Sequence, residues 1–523
     1  MTRVSTNSAD PPGSADSPGS VKAPPPAQSP VSTKETVLTK PDVSVKPGSH
    51  PKKRGPLDGP GPNGPIERLM STVIRKLAWS RLSEPKVAIA VSGFGLLLGM
   101  IVGATAANAE TLPIKLPLTH LVQALHLLPA LGHHDFIART LTYSGDILAC
   151  LGLAGMLWAH SQGWRPDPRR LLMVSAAIVA VMVSLTPVGS SDTASYAAYG
   201  RIASRGGNPY VTSPHRWLIL HPTYLPYFRV VGQLWKHQPS VYGPVATTVQ
   251  SFAASIGRAD VATTIWLLMI LNGLVFIGVG FLLLKTSDDP VRATLFWTAN
   301  PVLIQQLVSG GHLDTFVAAA AICAIQVARR VSGTWGDVLI GVLIGVSTGI
   351  KITGVLIGLG LAWPLLRRRE WARTARIALV ALVIVALEYS PYGLVALKPL
   401  FQGSQWITLP SVWWFLQPLG DALHIHHSVV TTVVGVLWPL AMIVVAWLIY
   451  QRISSDQPRE VVAPFALTFA WILAAPWVLA WYTAIAWVTL TQVPRNRMTR
   501  WLAIVTVVLA LWHSSGGWET VRL

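Results

Sequence analysis

The chain has 523 residues, of which 51% are hydrophobic and 12% charged, with a mean hydropathy of +0.47. Soluble globules carry about a quarter charged residues, so this composition excludes one and points to a membrane protein. The net charge of +18 does not imply nucleic acid, because the cations fall in short clusters between apolar runs rather than along a phosphate-tracking groove.

Residues 1–65 are rich in Pro, Ser, Gly and Lys and bury too little apolar area to offset ordering entropy, so a disordered tail is expected there. The first apolar run begins near Val87, too late and too long for a cleaved signal peptide. Lys52, Lys53, Arg54, Arg75, Lys76, Arg81 and Lys86 precede it and assign the N-terminus to the cytoplasm.

From there the apolar segments predict an all-α polytopic membrane domain over 66–523. Helices are expected near 87–107, 136–160, 171–188, 260–284, 292–309, 311–328, 335–349, 352–366, 375–392, 428–450, 461–474, 476–490 and 501–512, about thirteen in all, several short and paired across Gly or Pro. Parity puts the basic clusters 165–170, 285–292, 329–330, 367–376, 452–459 and 495–500 on the cytoplasmic side. This requires Tyr242 to Ile256, weakly hydrophobic and rich in Thr, Ser and Gln, to be re-entrant or interfacial; if it spans, everything after it inverts. Cys150 and Cys323 both lie in apolar segments, which indicates neither a disulfide framework nor a metal site.

The first outer loop, 189–242, opens with SSDTASYAAYGRIASRGGNPY. One carboxylate, Asp192, faces Arg201, Arg205, Arg216, Arg229 and Lys236, with Tyr196, Tyr199 and Tyr210 and a turn at Gly206, Gly207, Asn208 and Pro209. An outer loop this basic runs against the usual bias of cations to the cytoplasm. Either it meets an anionic partner, since Arg forks match phosphate oxygens, or long outer loops simply tolerate cations.

The second outer loop, 393–427, holds Trp406, Trp413 and Trp414, which either stack on sugar faces or seat the loop in the headgroup layer. His424, His426 and His427, spaced i, i+2 and i+3, make a weak metal motif. Three corners join the outer face: His312 with Asp314, Lys351 at a helix break, and Trp481-Tyr482. A lysine in an apolar run costs about 2.5–3.5 kcal/mol if lipid-exposed, which argues for a cavity or partner at Lys351, with snorkelling as the alternative. Asp146 and Glu388 are intramembrane carboxylates, either functional or buried and hydrogen-bonded.

Five elements then occur in order: Asp192-Thr-Ala-Ser-Tyr196 with Gly207-Asn208-Pro209-Tyr210, Tyr242-Gly243-Pro244, Asn300-Pro301, Gly311-His312, and Lys351-Ile352-Thr353. In these, over about 87–490, the sequence resembles the polyprenol-phosphate-mannose-dependent α-(1→6)-mannosyltransferases of actinobacteria, in the glycosyltransferase C superfamily. One departure is Leu313, which intervenes between His312 and Asp314. The resemblance implies a GT-C type bundle with an extracytoplasmic catalytic loop, in the plasma membrane. It implies a polyprenyl-phosphate-mannose donor, a mannan, lipoglycan or glycolipid acceptor, and inversion with Asp192 as general base. Tyr196, Tyr199, Arg201, Arg205, Asn208, Tyr210, Tyr242, His312, Asp314, Lys351 and Tyr482 would then serve donor phosphate or substrate binding. No cofactor is expected, a divalent metal is not indicated, and membrane lipids rather than nucleic acid are the expected surroundings.

Two other classes stay in view. A related lipid-linked glycosyltransferase would move another sugar, such as arabinose, or modify protein Ser and Thr. A secondary transporter would show paired inverted halves and midplane ionisable groups, whereas here the charged candidates cluster at outer helix ends.

Overall fold

Proline and short acceptor side chains punctuate the chain and set where helices begin. Pro85, Pro117, Pro168, Pro244 and Pro290 each open a helix, where the missing N–H is no loss. Asp167, Asp260, Asp289 and Asn300 cap the helices that follow them by accepting backbone N–H bonds. The computed structural model describes residues 84–106, 108–129, 131, 134–403, 406–453 and 458–514. The expected disordered tail, the basic residues from Lys52 to Arg81 and part of the 452–459 cluster lie outside the described residues.

Among the described residues the regular structure is helical, with one isolated bridge between Thr111 and Val188. Helices occur where the apolar runs placed them: α1 (Pro85–Thr105), α2 (Pro117–Ala124), α3 (Asp135–Ser161), α4 (Pro168–Met182), α5 (Asp192–Ser204), α6 (Pro244–Gly257), α7 (Val261–Thr286), α8 (Pro290–Phe296), α9 (Asp314–Arg330), α10 (Gly333–Ile350), α11 (Val355–Arg367), α12 (Trp371–Tyr389), α13 (His427–Arg452), α14 (Arg459–Ala474), α15 (Thr483–Leu490) and α16 (Met498–Ser514). Of these, α2, α5 and the short turns after α5 arise inside stretches read as loops.

Five helices, α1, α3, α7, α10 and α13, are long and apolar enough to cross a membrane; α12 and the following Leu394–Phe401, bent by 104°, make a sixth if they form one broken span. The expected segment 292–309 is broken into α8, a short turn capped by Asn300, and a π-helix over Ile304–Ser309. Helix α13 shows why lipid must surround the bundle. Only 22% of its apolar window is buried, and Leu440, Ile443, Val444, Trp447 and Leu448 face outward. The chain is thus a multi-pass membrane protein.

The bundle has two distinct ends. Helix α9 runs from Asp314 to Arg330 in 17 residues and α10 returns from Gly333 to Ile350 in 18, so Asp314 and Lys351 stand about 25 Å from Arg329 and Arg330. At that far end the basic clusters meet. Arg329 pairs with Asp288 at 3.1 Å, Arg495 reaches Asp289 at 3.5 Å, and Arg373 and Arg376 hold the buried Asp337 at 3.1 and 2.8 Å. Arg292, 4% exposed, donates to the carbonyls of Val493 and Leu490. The site end carries Asp192, His312 and Lys351 instead.

Helix α6 covers the doubtful segment 242–256. Its start is tied to the site end, where the Gly243 N–H donates to the Ile350 carbonyl at 3.0 Å. Its end abuts Thr264, two turns before the α7 residue Asn272, which bonds the His312 carbonyl. Both ends of α6 therefore lie in the same half of the molecule.

Candidate functional site

Helix α5 presents Asp192, Tyr196 and Tyr199 at i, i+4 and i+7, a spacing that stacks them on one face. That face is buried against α6 and α7, and the Tyr196 hydroxyl donates to Asp192 Oδ2 at 3.3 Å. The Tyr242 ring meets the Tyr196 ring edge-on at 4.9 Å, which fixes the phenol in place. Burial, together with Asp192 and Asp314, pushes the Tyr196 hydroxyl well above 10, so it remains a donor.

A second element brings His312. The π-helix ends in Gly310 and Gly311, the latter at φ +68°, where a side chain would also strike Thr193 and Met269. Beyond this corner His312, 1% exposed, sets Nδ1 3.3 Å from Asp192 Oδ2. Its backbone carbonyl accepts from Asn272 Nδ2 at 2.6 Å, and Asn272 is itself held by Thr315 at 3.2 Å. The imidazole stacks on Trp481 with centroids 3.6 Å apart and planes 12° apart. Ring tilt and ring position are thus both fixed.

The third element is Lys351, whose side chain leaves the broken α10–α11 path. Nζ is gripped by both Asp314 oxygens at 2.9 and 3.0 Å and sits 3.8 Å over the Tyr482 ring. Both partners are largely withdrawn from solvent, at 12% and 8% side-chain exposure. Leu313, the departure from the family pattern, is buried at 3% and leaves Asp314 free to make this pair.

Electrostatics at Asp192 are a contest. Burial raises its pKa, but His312, the Lys351 ammonium and the Tyr196 hydroxyl outweigh burial and hold the carboxyl below its ordinary 3.8. Asp192 is therefore an anion at neutral pH, 14% exposed.

These groups converge on a cavity of about 690 Å³, within the size range of small-molecule sites. Asp192, Tyr242, His312, Lys351 and Tyr482 line it. Tyr196 and Asp314 act on it from behind through Asp192 and Lys351. The other sequence candidates lie elsewhere: the Tyr199 hydroxyl donates to the Gln238 carbonyl at 3.0 Å, and Tyr210 pairs with Thr247 at 2.8 Å. Asn208 accepts from the Tyr210 N–H at 2.9 Å. Arg201 lies 5.8 Å over Tyr227, Arg205 is exposed, and neither lines the cavity. Arg201 follows Asp192 by nine residues, which turns it about 180° away on the helix.

Sequence reasoning missed three polar contributors. Arg139 at the start of α3, 3.8 Å from Glu110, is a cation on the cavity wall, and Gln305 and Gln306 reach it from the π-helix. Asp146, named only as an intramembrane carboxylate, also lines it and is 2% exposed. Glu388 lies instead against Gly349, outside the lining. The three histidines 424, 426 and 427 do not converge; His426 caps α13. Among the described residues no group of three or more His, Cys, Asp or Glu is arranged to hold a metal ion.

Fold and site together define a polytopic helical membrane protein with a carboxylate-bearing cavity at one end of its bundle. Residues 91–367 match the family described as alpha-(1->6)-mannopyranosyltransferase, N-terminal domain, and the chain belongs to that family. It is similar to alpha-(1->6)-mannopyranosyltransferase B of Corynebacterium glutamicum, 28% identical over 214 residues, covering 38% of this chain and 35% of that protein. It is also similar to alpha-(1->6)-mannopyranosyltransferase A of Mycobacterium tuberculosis, 26% identical over 315 residues, covering 56% of this chain and 57% of that protein. The matches thus span between about a third and just over half of these relatives. No solved structure matches the chain.

Proposed function

We propose that this protein transfers mannose from a polyprenyl-phosphate-mannose donor to a hydroxyl of a mannan, lipoglycan or glycolipid acceptor, forming an α-(1→6) linkage with inversion. The observation that carries this reading is the ionised Asp192 on a cavity wall that also presents the Lys351 ammonium. Support comes from the two relatives, both named for α-(1→6)-mannopyranosyl transfer.

In this mechanism Asp192 accepts the proton of the acceptor hydroxyl as that oxygen bonds to the anomeric carbon. The bond from that carbon to the lipid phosphate oxygen breaks on the opposite face, through an oxocarbenium-like transition state. A β donor thereby yields an α product. A carboxylate with a lowered pKa is a weak base toward a ground-state alcohol, but the hydroxyl acidifies as its oxygen bonds to carbon, so proton transfer becomes favourable late. The departing phosphate gains charge, and Lys351 is the buried cation placed to meet it, with Arg139 further along the wall. Arg201 and Arg205 fit this role poorly, since they stand off the cavity.

The proposed orientation is a thirteen-helix GT-C bundle in the plasma membrane, with its N-terminus and basic end cytoplasmic and its catalytic end extracytoplasmic. It is supported by the gathering of arginines at the end opposite Asp192.

Incubating membranes that contain the protein with labelled polyprenyl-phosphate mannose and an octyl α-mannoside acceptor tests the reaction. An extended α-(1→6)-linked product is expected. Transfer from a polyprenyl-phosphate arabinose alone would reassign the sugar, and uptake into vesicles without transfer would replace the enzyme by a transporter.

A further inference from the structure

Helix α14 ends at Ala474 and leaves carbonyls without helical partners, and the chain then bends at Pro476 and Trp477 before a 3-10 turn at Ala480. The loop 406–414 takes up those carbonyls. The Thr408 N–H donates to the Pro476 carbonyl at 2.9 Å, the Ser411 hydroxyl to Ala475 at 3.0 Å, and the Trp413 indole to Ala474 at 2.6 Å. In return the Val478 N–H donates to the Thr408 hydroxyl at 3.0 Å. Trp413 is thus a fastener of the loop rather than a headgroup anchor.

The fastening sets Trp406 against Trp477, with ring centroids 5.1 Å apart and planes tilted by 50°. Trp235 joins them at 5.7 Å from Trp406 and 58° of tilt. All three are partly exposed, and all three line the cavity that holds Asp192. Being partly exposed on the cavity wall, the three rings keep indole surface open to it. The cluster is also continuous with the base: Trp235 lies 6.5 Å from Tyr242, whose ring abuts Tyr196 at 4.9 Å, and Tyr196 bonds Asp192.

We infer that Trp235, Trp406 and Trp477 form a pyranose-stacking subsite for the acceptor glycan, placing its terminal sugar beside Asp192. An indole face offers negative quadrupole to the C–H face of a sugar ring, and its N–H a donor to a hydroxyl. An aliphatic lipid tail has no use for either feature, nor for the polar groups of the same cavity. Because the 406–414 loop is hydrogen-bonded to the segment after α14 before any ligand arrives, little ordering is left to oppose binding.

The inference rests on the proposed transfer for the word acceptor, so its test reads binding and turnover separately. The full-length protein, wild type, Trp406→Ala and Trp406→Phe, is purified in detergent and titrated with octyl α-(1→6)-mannobioside without donor, by saturation-transfer NMR. Acceptor KM, donor KM and kcat are then measured with labelled polyprenyl-phosphate mannose. Trp406→Ala is expected to weaken probe binding and raise acceptor KM by about tenfold, more than it changes kcat or donor KM, while Trp406→Phe recovers most of the loss. Probe binding lost in Trp406→Ala without any transfer by the wild type would uphold the subsite and sink the mannosyl-lipid reading. Transfer with acceptor KM unchanged in Trp406→Ala, or a rise confined to donor KM, would overturn the subsite. Absence of probe binding to the wild type would overturn it too, and the Phe variant answers if the Ala variant does not fold.

Discussion

His312 Nδ1 stands 3.3 Å from Asp192 Oδ2, so a glycine corner between the π-helix and α9 positions the carboxylate carried by α5. The imidazole is in turn clamped by Trp481 and by the Asn272 bond to its carbonyl. Replacing it with Gln removes the imidazole beside Asp192 but leaves the corner intact. His312→Gln is expected to lower kcat by about 10- to 100-fold, the usual effect of losing a group that orients a catalytic side chain, with little change in donor KM. Steady-state kinetics against labelled donor check this; an unchanged kcat would remove His312 from the mechanism.

The same contact fixes the pH profile. The folded carboxyl of Asp192 lies below 3.8, so its ionised form contributes stability that is fully present above that value and lost as pH falls through the lower folded value. As a base it is active in the ionised form. kcat/KM is therefore expected to show no acid limb from Asp192 above about pH 4, and His312→Gln should move that limb upward. An acid limb near neutrality that ignores the His312 substitution would assign the base to another group.

Lys351 is shared between two carboxylates, paired with Asp314 and close enough to Asp192 to depress its pKa. Lys351→Met is expected to reduce kcat by about 10²- to 10³-fold, the scale of losing one preorganised charge partner of a leaving group. Arg201→Ala, on the opposite face of α5, should leave donor KM within about threefold. Asp314→Ala strands the buried ammonium and should cost about 3–5 kcal/mol of stability. Thermal unfolding in detergent, run beside the kinetics, separates the two effects.

Tyr242-Gly243-Pro244 fixes where α6 meets α10. A Cβ at Gly243 would fall on the carbonyl of Gly349, two residues before Lys351. Gly243→Ala is expected to cost about 1–3 kcal/mol and to displace Lys351, lowering turnover as well. A variant as stable and as active as wild type would show that this approach can relax freely.

Much of this was legible in the chain. The apolar runs located the helices, and the short elements at Asp192, His312 and Lys351 each marked a residue that lines the cavity. Arg201 and Arg205 stand off the cavity for a specific reason: Asp192 to Ser204, expected as part of an outer loop, is a helix that turns Arg201 to the far side. Read with helical periodicity, Asp192, Tyr196 and Tyr199 would have separated from the arginines at once. The tryptophan wall and Arg139 could not be found that way. Trp235, Trp406 and Trp477 lie 171 and 71 residues apart along the chain and meet where carbonyls at the end of α14 capture the 406–414 loop. The break in 292–309 was equally hidden, since a π-helix keeps the same apolar composition as an α-helix.

The most direct measurement is single-turnover transfer from labelled polyprenyl-phosphate mannose by purified Asp192→Asn protein, beside wild type, with donor binding measured on the same samples. Amide and carboxylate match in size, but only the carboxylate can take the acceptor's proton. A fall of at least about 10²-fold in the transfer rate with donor affinity retained is expected. Transfer by Asp192→Asn at the wild-type rate would contradict the assignment of Asp192 as the base.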